Sequence, residues 1–539
     1  MVWELTFQRC HSGGMLSVIL RSRMDVLHHW SSCMLVYVLI LLQFIELDPY
    51  LAGYAVGFDD TNRRLKDAKK LYPKMRNRNY PFGDHETLLP VENPLLLLPP
   101  RLVANVLVDT YFNTFGRTHR LLHRPTFDRE FAAFWECSQA WVRDQWLSQL
   151  FMILALGCHA YDSHILADAG YNSAALIEQC VDGAQLTFRQ GRFMSKPTLT
   201  TVRTLCMMAL AQQMDLFNDS DAVWILMGLI IRLAVSMGLH RHSSSLRIGL
   251  TEFEMEQRRR VWVCVVFLNL QGALESGMPA LLHTNDFNSP PPLNLDDCDI
   301  IDGAIGMAQP KDIFTEGSLL IKLFESFNVM TKVVDIANAP LPGLDEKLVS
   351  DCDTTLRKFL QESIYPSGKC RRDPLLCTTF QTYIRRGLLV LHQCYLSLPL
   401  HLQESSQTSR SQSAILDSSL ALLVIQRNLE DIQPCHWLTD LFKDAFVLAA
   451  AHVGVGLRRG DYPASFDGIT HVSPRDTAQD ALKACLEIWG KRVKRTSDNF
   501  KLYIGLSYLV YALEAMRDGR LLLEAMKEAA ESGIALAFG

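Results

Sequence analysis

Between residues 222 and 239 the chain carries one charge, Arg232, among side chains such as Val223, Trp224, Ile225, Leu226, Ile230, Ile231 and Leu233. A helix apolar on nearly every side has no face to give to water, so other elements must surround it. Gly228 and Ala234 leave room for close neighbours, and Gly238 supplies a left-handed stop just past the helix. The same theme recurs along the sequence. Residues 101–115 place Leu102, Val106, Val108, Tyr111, Phe112 and Phe115 at mostly three- and four-residue spacing. Phe127, Phe131, Phe134 and Trp135 follow the turn His123-Arg124-Pro125, where Thr126 can cap a helix. Residues 145–159 are apolar at their centre, and residues 198–217 turn Val202, Leu205, Met208 and Ala209 inward. Thr251 and Glu254 provide the hydroxyl and carboxylate of a capping box before the long run through Leu268. Helical periodicity returns over residues 316–396, 414–457 and 477–536, and strand signals are nearly absent. The expected fold is all-α, a large bundle-like body of many helices.

Punctuation divides the chain into an uncertain hydrophobic segment (1–60), a basic linker (61–97), a helical core (98–400), a Ser/Gln linker (401–413) and a helical continuation (414–539). Residues 26–45 contain no Asp, Glu, Lys or Arg, and about 20 such residues could span a bilayer. His28, His29, Ser31, Ser32 and Gln43 dilute that segment. A membrane tether, a buried first helix and a gene-model artefact all remain open for it. Without a small-residue cleavage site it does not read as a signal peptide.

Arg63, Arg64, Lys66, Lys69, Lys70, Lys74, Arg76 and Arg78 then form a basic run opposed only by Asp67. It reads either as a solvated linker or as a nuclear-import signal or DNA-backbone arm. The whole chain has net charge −5, so nucleic-acid contact must come from such a local patch or from a partner.

No residue pattern nominates catalysis. There is no P-loop, no G-x-S-x-G elbow, no H-E-x-x-H and no kinase signature. The fourteen cysteines are scattered, without a C-x-x-C pair, as in a reduced intracellular protein. Asp296, Asp297, Asp299 and Asp302 raise the thought of a magnesium-dependent prenyl diphosphate enzyme, but they lack the D-D-x-x-D spacing. They read instead as a solvated acidic loop or helix cap. His240-Arg241-His242 sits at a helix end, where cations complement the dipole, and offers no third metal ligand nearby. Gly454, Gly456 and Gly460 are wrongly spaced for a dinucleotide loop. Arg258, Arg259 and Arg260 cover about 200° of a helix wheel and cannot all face one DNA backbone. Ion pairs with glutamates on neighbouring helices are their expected role. No catalytic, cofactor-binding or metal-binding residue is assigned.

Several segments nevertheless resemble, in order, one known family. Leu98-Pro99-Pro100-Arg101 with Tyr111-Phe112, then Leu122-His123-Arg124-Pro125-Thr126-Phe127, resembles the opening of the fungal-specific transcription factor regulatory domain. This is the middle homology region of the fungal zinc binuclear cluster regulators. Asp221-Ala222-Val223-Trp224 through Gly238-Leu239-His240-Arg241 is similar to its W…G-L-H-R helix, and Glu256 with Arg258-Arg259-Arg260-Val261-Trp262 to its E-x-x-R-R-R-x-W helix. Gly277-Met278-Pro279, Asn285-Asp286 and Asp296-Asp297 loosely follow its G-R-P turn and acidic loop, and Cys435-His436-Trp437-Leu438 its late tryptophan helix. Val263 and Met278 depart from the usual Trp and Arg.

The resemblance implies a nuclear transcription regulator, pathway-specific (for example for a biosynthetic gene cluster), and not an enzyme. Its partners would be DNA, the transcription machinery, an unidentified small-molecule effector and a second copy of itself. The family's DNA reader binds two zinc ions through six cysteines, whereas residues 1–100 hold only Cys10 and Cys33. The chain is therefore expected to carry no cofactor, with zinc entering only through a further N-terminal module, and to reach DNA through that module or a partner. The basic run lies where the family carries a basic linker. The alternatives are a non-DNA-binding interaction or decoy protein, free or tethered through residues 26–45, and an all-helical enzyme.

Overall fold

The computed structural model describes residues 59–72, 93–136, 144–191, 193–214, 216, 223–242, 249–301, 304–339, 345–364, 373–398, 403–431, 435–463 and 473–539. Nineteen α-helices, with a few short 3-10 turns, account for about 77% of them. The first half comprises α1 (Asp59–Lys70), α2 (Arg101–Asn113), α3 (Phe115–His119), α4 (Arg124–Glu136), α5 (Asp144–Ala160), α6 (Ser163–Asp168), α7 (Ser173–Gln190), α8 (Leu199–Gln213), α9 (Val223–Ser236) and α10 (Glu252–Ser276). After an acidic loop follow α11 (Ser318–Asn338), α12 (Glu346–Ile364), α13 (Pro374–Leu396), α14 (Ser405–Asp431), α15 (His436–Leu441), α16 (Lys443–Arg459), α17 (Pro474–Gly490), α18 (Ser497–Asp518) and α19 (Leu522–Phe538). The one sheet among the described residues is a two-residue antiparallel pair that sets Ile300 opposite Ile305. The fold is all-α.

Local chemistry sets the helix ends. Thr198 and Thr251 each form a capping box, with Thr201 and Glu254 as reciprocal partners. Gly277, Gly460 and Gly519 end α10, α16 and α18 in the left-handed conformation that spares them a Cβ clash. Thr126 does not cap α4. The helix starts two residues earlier, at Arg124, and the Thr126 hydroxyl instead meets His123 Nδ1 at 2.9 Å.

One hydrophobic core runs from Ala68 to Ala537. Its middle is α8, whose Val202, Leu205, Met208 and Ala209 are fully buried, together with the stretch Val261 to Leu270 of α10. Trp262, Trp437 and Trp489 lie fully buried, and Phe115 packs on Trp437 with ring centroids 4.3 Å apart. The expected centrality of α9 is corrected: α8 and α10 cover one side of it, while Ile225 is 69% exposed and Arg232 faces out. The inward face of α2 is also rotated from the expected one. Ala104, Leu107, Val108, Tyr111 and Phe112 are buried, while Leu102 is 80% exposed.

Both expected linkers contain helix. Residues 405–413 are the opening turns of α14, with Gln407 and Ser411 buried. Residues 59–70 form α1, which lays Ala68 against the body. No described helix is long and apolar enough to cross a membrane, and residues 1–58 lie outside the described residues.

Candidate functional site

Three segments that the sequence sets far apart meet at Asp297. The chain leaves α3 through Arg120, the one non-glycine residue with positive φ among those described (φ 40°, ψ 40°). That conformation costs roughly 1–2 kcal/mol for a residue with a Cβ. Here it delivers the buried guanidinium to two carboxylates, Asp297 at 2.5 Å and Glu316 at 2.8 Å.

From α10, Arg260 reaches Asp297 Oδ1 at 2.6 Å with Nη1 and Glu256 Oε1 at 3.1 Å with Nε. Arg259 also pairs with Glu256, at 2.9 Å. The fully buried Glu256 accepts the Leu293 amide at 3.2 Å as well. From the α3–α4 turn, His123 Nε2 lies 3.0 Å from the Asp297 carbonyl oxygen, and the Arg124 amide donates to Asp297 Oδ2 at 3.1 Å. A carbonyl only accepts, so His123 donates to it from Nε2, while Nδ1 meets the Thr126 hydroxyl. The Asp297 amide donates to Glu316 Oε2 at 2.9 Å, and the Glu316 amide to Asp296 Oδ1 at 2.7 Å, which ties in the start of α11.

The electrostatics are closed. Burial disfavours the Asp297 charge, but Arg120 and Arg260 more than offset it and hold the carboxyl at about 2. Burial likewise opposes the Arg260 charge, yet Asp297 and Glu256 keep its pKa raised. A carboxylate locked in this way has no proton to give at neutral pH, so the node is built to hold segments together and not for acid–base work. The expectation for the arginines is corrected in its partners. Arg259 and Arg260 pair within α10 and with the acidic loop, while Arg258 donates to the Met237 carbonyl at the end of α9. The acidic loop is corrected at one residue: Asp297 is almost wholly buried, where it accepts the first amide of α4, while Asp299 is partly exposed.

A second node joins α5, α14, α15 and the α17–α18 junction. Asp440 lies 3.2 Å from His159 Nε2, 3.3 Å from Arg492 and 3.4 Å from Arg495, and Arg492 also reaches Glu430 at 2.5 Å. Burial opposes the Asp440 charge, but the close approach of His159 and the Arg492 charge hold its carboxyl well below the usual range. A third contact chain runs Asp353–His392–Ser411 at 2.9 and 3.0 Å, with the serine fully buried where no substrate could reach it.

Of the basic run, the structure describes Arg63, Arg64, Lys66, Lys69 and Lys70, all exposed on α1, while Lys74, Arg76 and Arg78 lie outside the described residues. Among the described residues the group close enough to share a metal ion is Asp296, Cys298 and Asp299. It holds one thiol, pushed up by burial and by the negative Asp299 and Asp296. Burial also pushes the Cys158 and Cys485 thiols up to about 12. These residues do not fit a six-thiolate zinc cluster, which needs cysteines converging as thiolates.

The fold and its nodes define an all-helical scaffold whose buried carboxylates at Asp297 and Asp440 are spent on internal pairing. Residues 108–365 match the fungal specific transcription factor domain. The chain is 28% identical to the transcription factor opdR of Penicillium oxalicum, over 70% of this chain and 47% of that protein. It is 27% identical to the equisetin cluster transcription factor eqxF of Fusarium heterosporum, over 81% of this chain and 64% of the relative. Against the fusarisetin A cluster transcription factor fsa6 of a Fusarium species it is 28% identical, over 73% and 54%. The chain thus spans about half to two thirds of the length of these relatives. The match over residues 108–365 takes in just under half of the chain, and these relatives are transcription factors. Some relatives, such as mpsB of Macrophomina phaseolina, are Zn(2)-C6 fungal-type factors.

The arginine-rich helix and the turn around His123 are legible as motifs. That they share one carboxylate is not, because Asp297 sits 37 residues beyond Arg260 in a loop with no periodicity. The strained Arg120 gives no sequence signal at all.

Proposed function

We propose that this chain regulates transcription, with its helical body acting as the regulatory domain that controls an attached DNA-binding or activating segment. The observation that carries the reading is the convergence at Asp297. The His123–Thr126 turn, the Arg258–Trp262 helix and the Asp296–Asp297 loop, each of which resembles a family motif, form one salt-bridged interior within the matched residues. Relatives named for the equisetin and fusarisetin A clusters support a pathway-specific role, governing a biosynthetic gene cluster from the nucleus. The basic segment from Arg63 to Arg78 serves nuclear entry or phosphate contact. Specific DNA reading comes from a zinc module or a partner, and the transcription machinery is the other partner. A small-molecule effector would act on the same body, whose recess among Gly238, Leu239, Met255, Arg258 and Pro290 measures about 10 Å³, room for roughly one water.

The test tethers the full chain to a reporter promoter through a heterologous DNA-binding domain in a fungal host. Reporter transcription is expected to shift several-fold. Unchanged transcription from a nuclear, intact fusion would contradict the reading and favour a protein that only sequesters other regulators.

A further inference from the structure

The basic run of α1 does not stand alone. Leu65 and Ala68 share the inward side of α1, and Tyr72, just past its end, is buried with Ala68. The Tyr72 hydroxyl donates to the Val493 carbonyl at 2.5 Å, and its ring packs on Phe500 and Phe538 at 5.6 and 5.0 Å. Arg64 pins the flank by pairing with Glu531 at 2.8 Å. This docking sets α1 beside a second basic stretch, Lys491-Arg492-Val493-Lys494-Arg495, and beside Lys501 at the start of α18.

The charges around that seam do not balance. The Asp498 carboxylate faces Lys501, Lys443 and Lys69, and Lys501 binds it at 2.5 Å. Desolvation against the body and the nearby Lys501 ammonium both lower the Lys69 pKa. Arg492 and Arg495 are spent on Glu430 and Asp440, and Lys70 on Asp67. Lys66, Lys491 and Lys494 are exposed and have no ion-pair partner among the described residues. A cationic surplus in a chain of net charge −5 repels itself unless an outside anion covers it.

We propose that α1 and the α17–α18 junction together form a surface that holds the phosphate backbone of duplex DNA without reading its sequence. This rests on the reading that the chain works at DNA. The free cations are lysines, point charges suited to phosphates, while the guanidinium forks that could read a base edge, Arg492 and Arg495, are internally occupied. The surface joins two segments more than four hundred residues apart, so it exists only in the folded chain.

The test is fluorescence anisotropy of the full chain with a short duplex of arbitrary sequence, across about 50–200 mM salt. Two triple variants are compared, both checked by circular dichroism: K66E/K491E/K494E on the surface, and K196E/K347E/K358E at other exposed lysines. The surface triple is expected to bind at least tenfold more weakly, and to flatten the salt slope by roughly 0.9 for each phosphate that it no longer neutralises. The remote triple is expected to bind like wild type. Absence of duplex binding at low salt, equal weakening by both triples, or preference for an acidic peptide or single-stranded RNA would overturn the proposal. The tethered reporter supplies its own DNA contact, so it would still respond if only this surface were wrong.

Discussion

At the scale of residues, Asp297 carries more of the structure than any neighbour, because two buried arginines depend on its charge. Replacing it by Asn would leave Arg120 and Arg260 underpaired in the interior, a loss of about 3–5 kcal/mol. Urea unfolding of Asp297→Asn should show the midpoint falling accordingly, and a midpoint within error of wild type would refute this. Buried histidines set the pH response. Burial lowers His119 and His452 from 6.5 to about 4 in the folded chain. Between those values the unfolded chain binds more protons, so stability is complete above about pH 6.5 and drains away toward pH 4. Each histidine contributes roughly 3 kcal/mol to that loss. Asp297, held at about 2 against an ordinary 3.8, extends it: its contribution is present above the ordinary value and disappears as pH falls to about 2. Urea midpoints measured from about pH 7 down to about pH 4 should therefore fall steadily, and a flat profile would exclude neutral buried histidines.

Among the helices, periodicity reveals that elements exist but not always which face they bury. In α2 the apolar residues outnumber the inward positions. The face is chosen by α5, whose Gly157 lets the two backbones touch. A Cβ at Gly157 would stand 2.1 Å from the Leu107 carbonyl oxygen, a backbone atom with nowhere to go. Gly157→Ala should cost about 1–3 kcal/mol by prising α2 from α5, read as a lower melting temperature; an unchanged melt would mean the crossing is looser than described. The opening of α14 is hidden for another reason. Ser405 to Ser413 is polar by composition, yet Gln407 and Ser411 are buried because His392 and its neighbours supply hydrogen-bond partners. Composition counts polar atoms and is blind to whether they find partners inside. Caps are the most legible feature, since Thr198 with Thr201 and Thr251 with Glu254 act within four residues.

Across the whole molecule, the matched residues 108–365 are not a free-standing unit. Phe115 leans on Trp437, His436 Nε2 reaches the His159 carbonyl at 3.0 Å, and Arg117 pairs with Asp373. Such contacts join segments hundreds of residues apart, which is why the division at residues 401–413 looks like a boundary in sequence and is interior in three dimensions. A fragment ending at residue 400 lacks Trp437 and Trp489 of the shared core and should be recovered aggregated or protease-sensitive, whereas a soluble, protease-resistant fragment would argue for separable domains. One cooperative body, locked at Asp297, extends far beyond the matched residues. Calorimetry of the full chain beside Asp297→Asn tests this most directly. The prediction is a single heat-absorption peak that moves down as a unit in the variant; two peaks, with only one displaced, would contradict it.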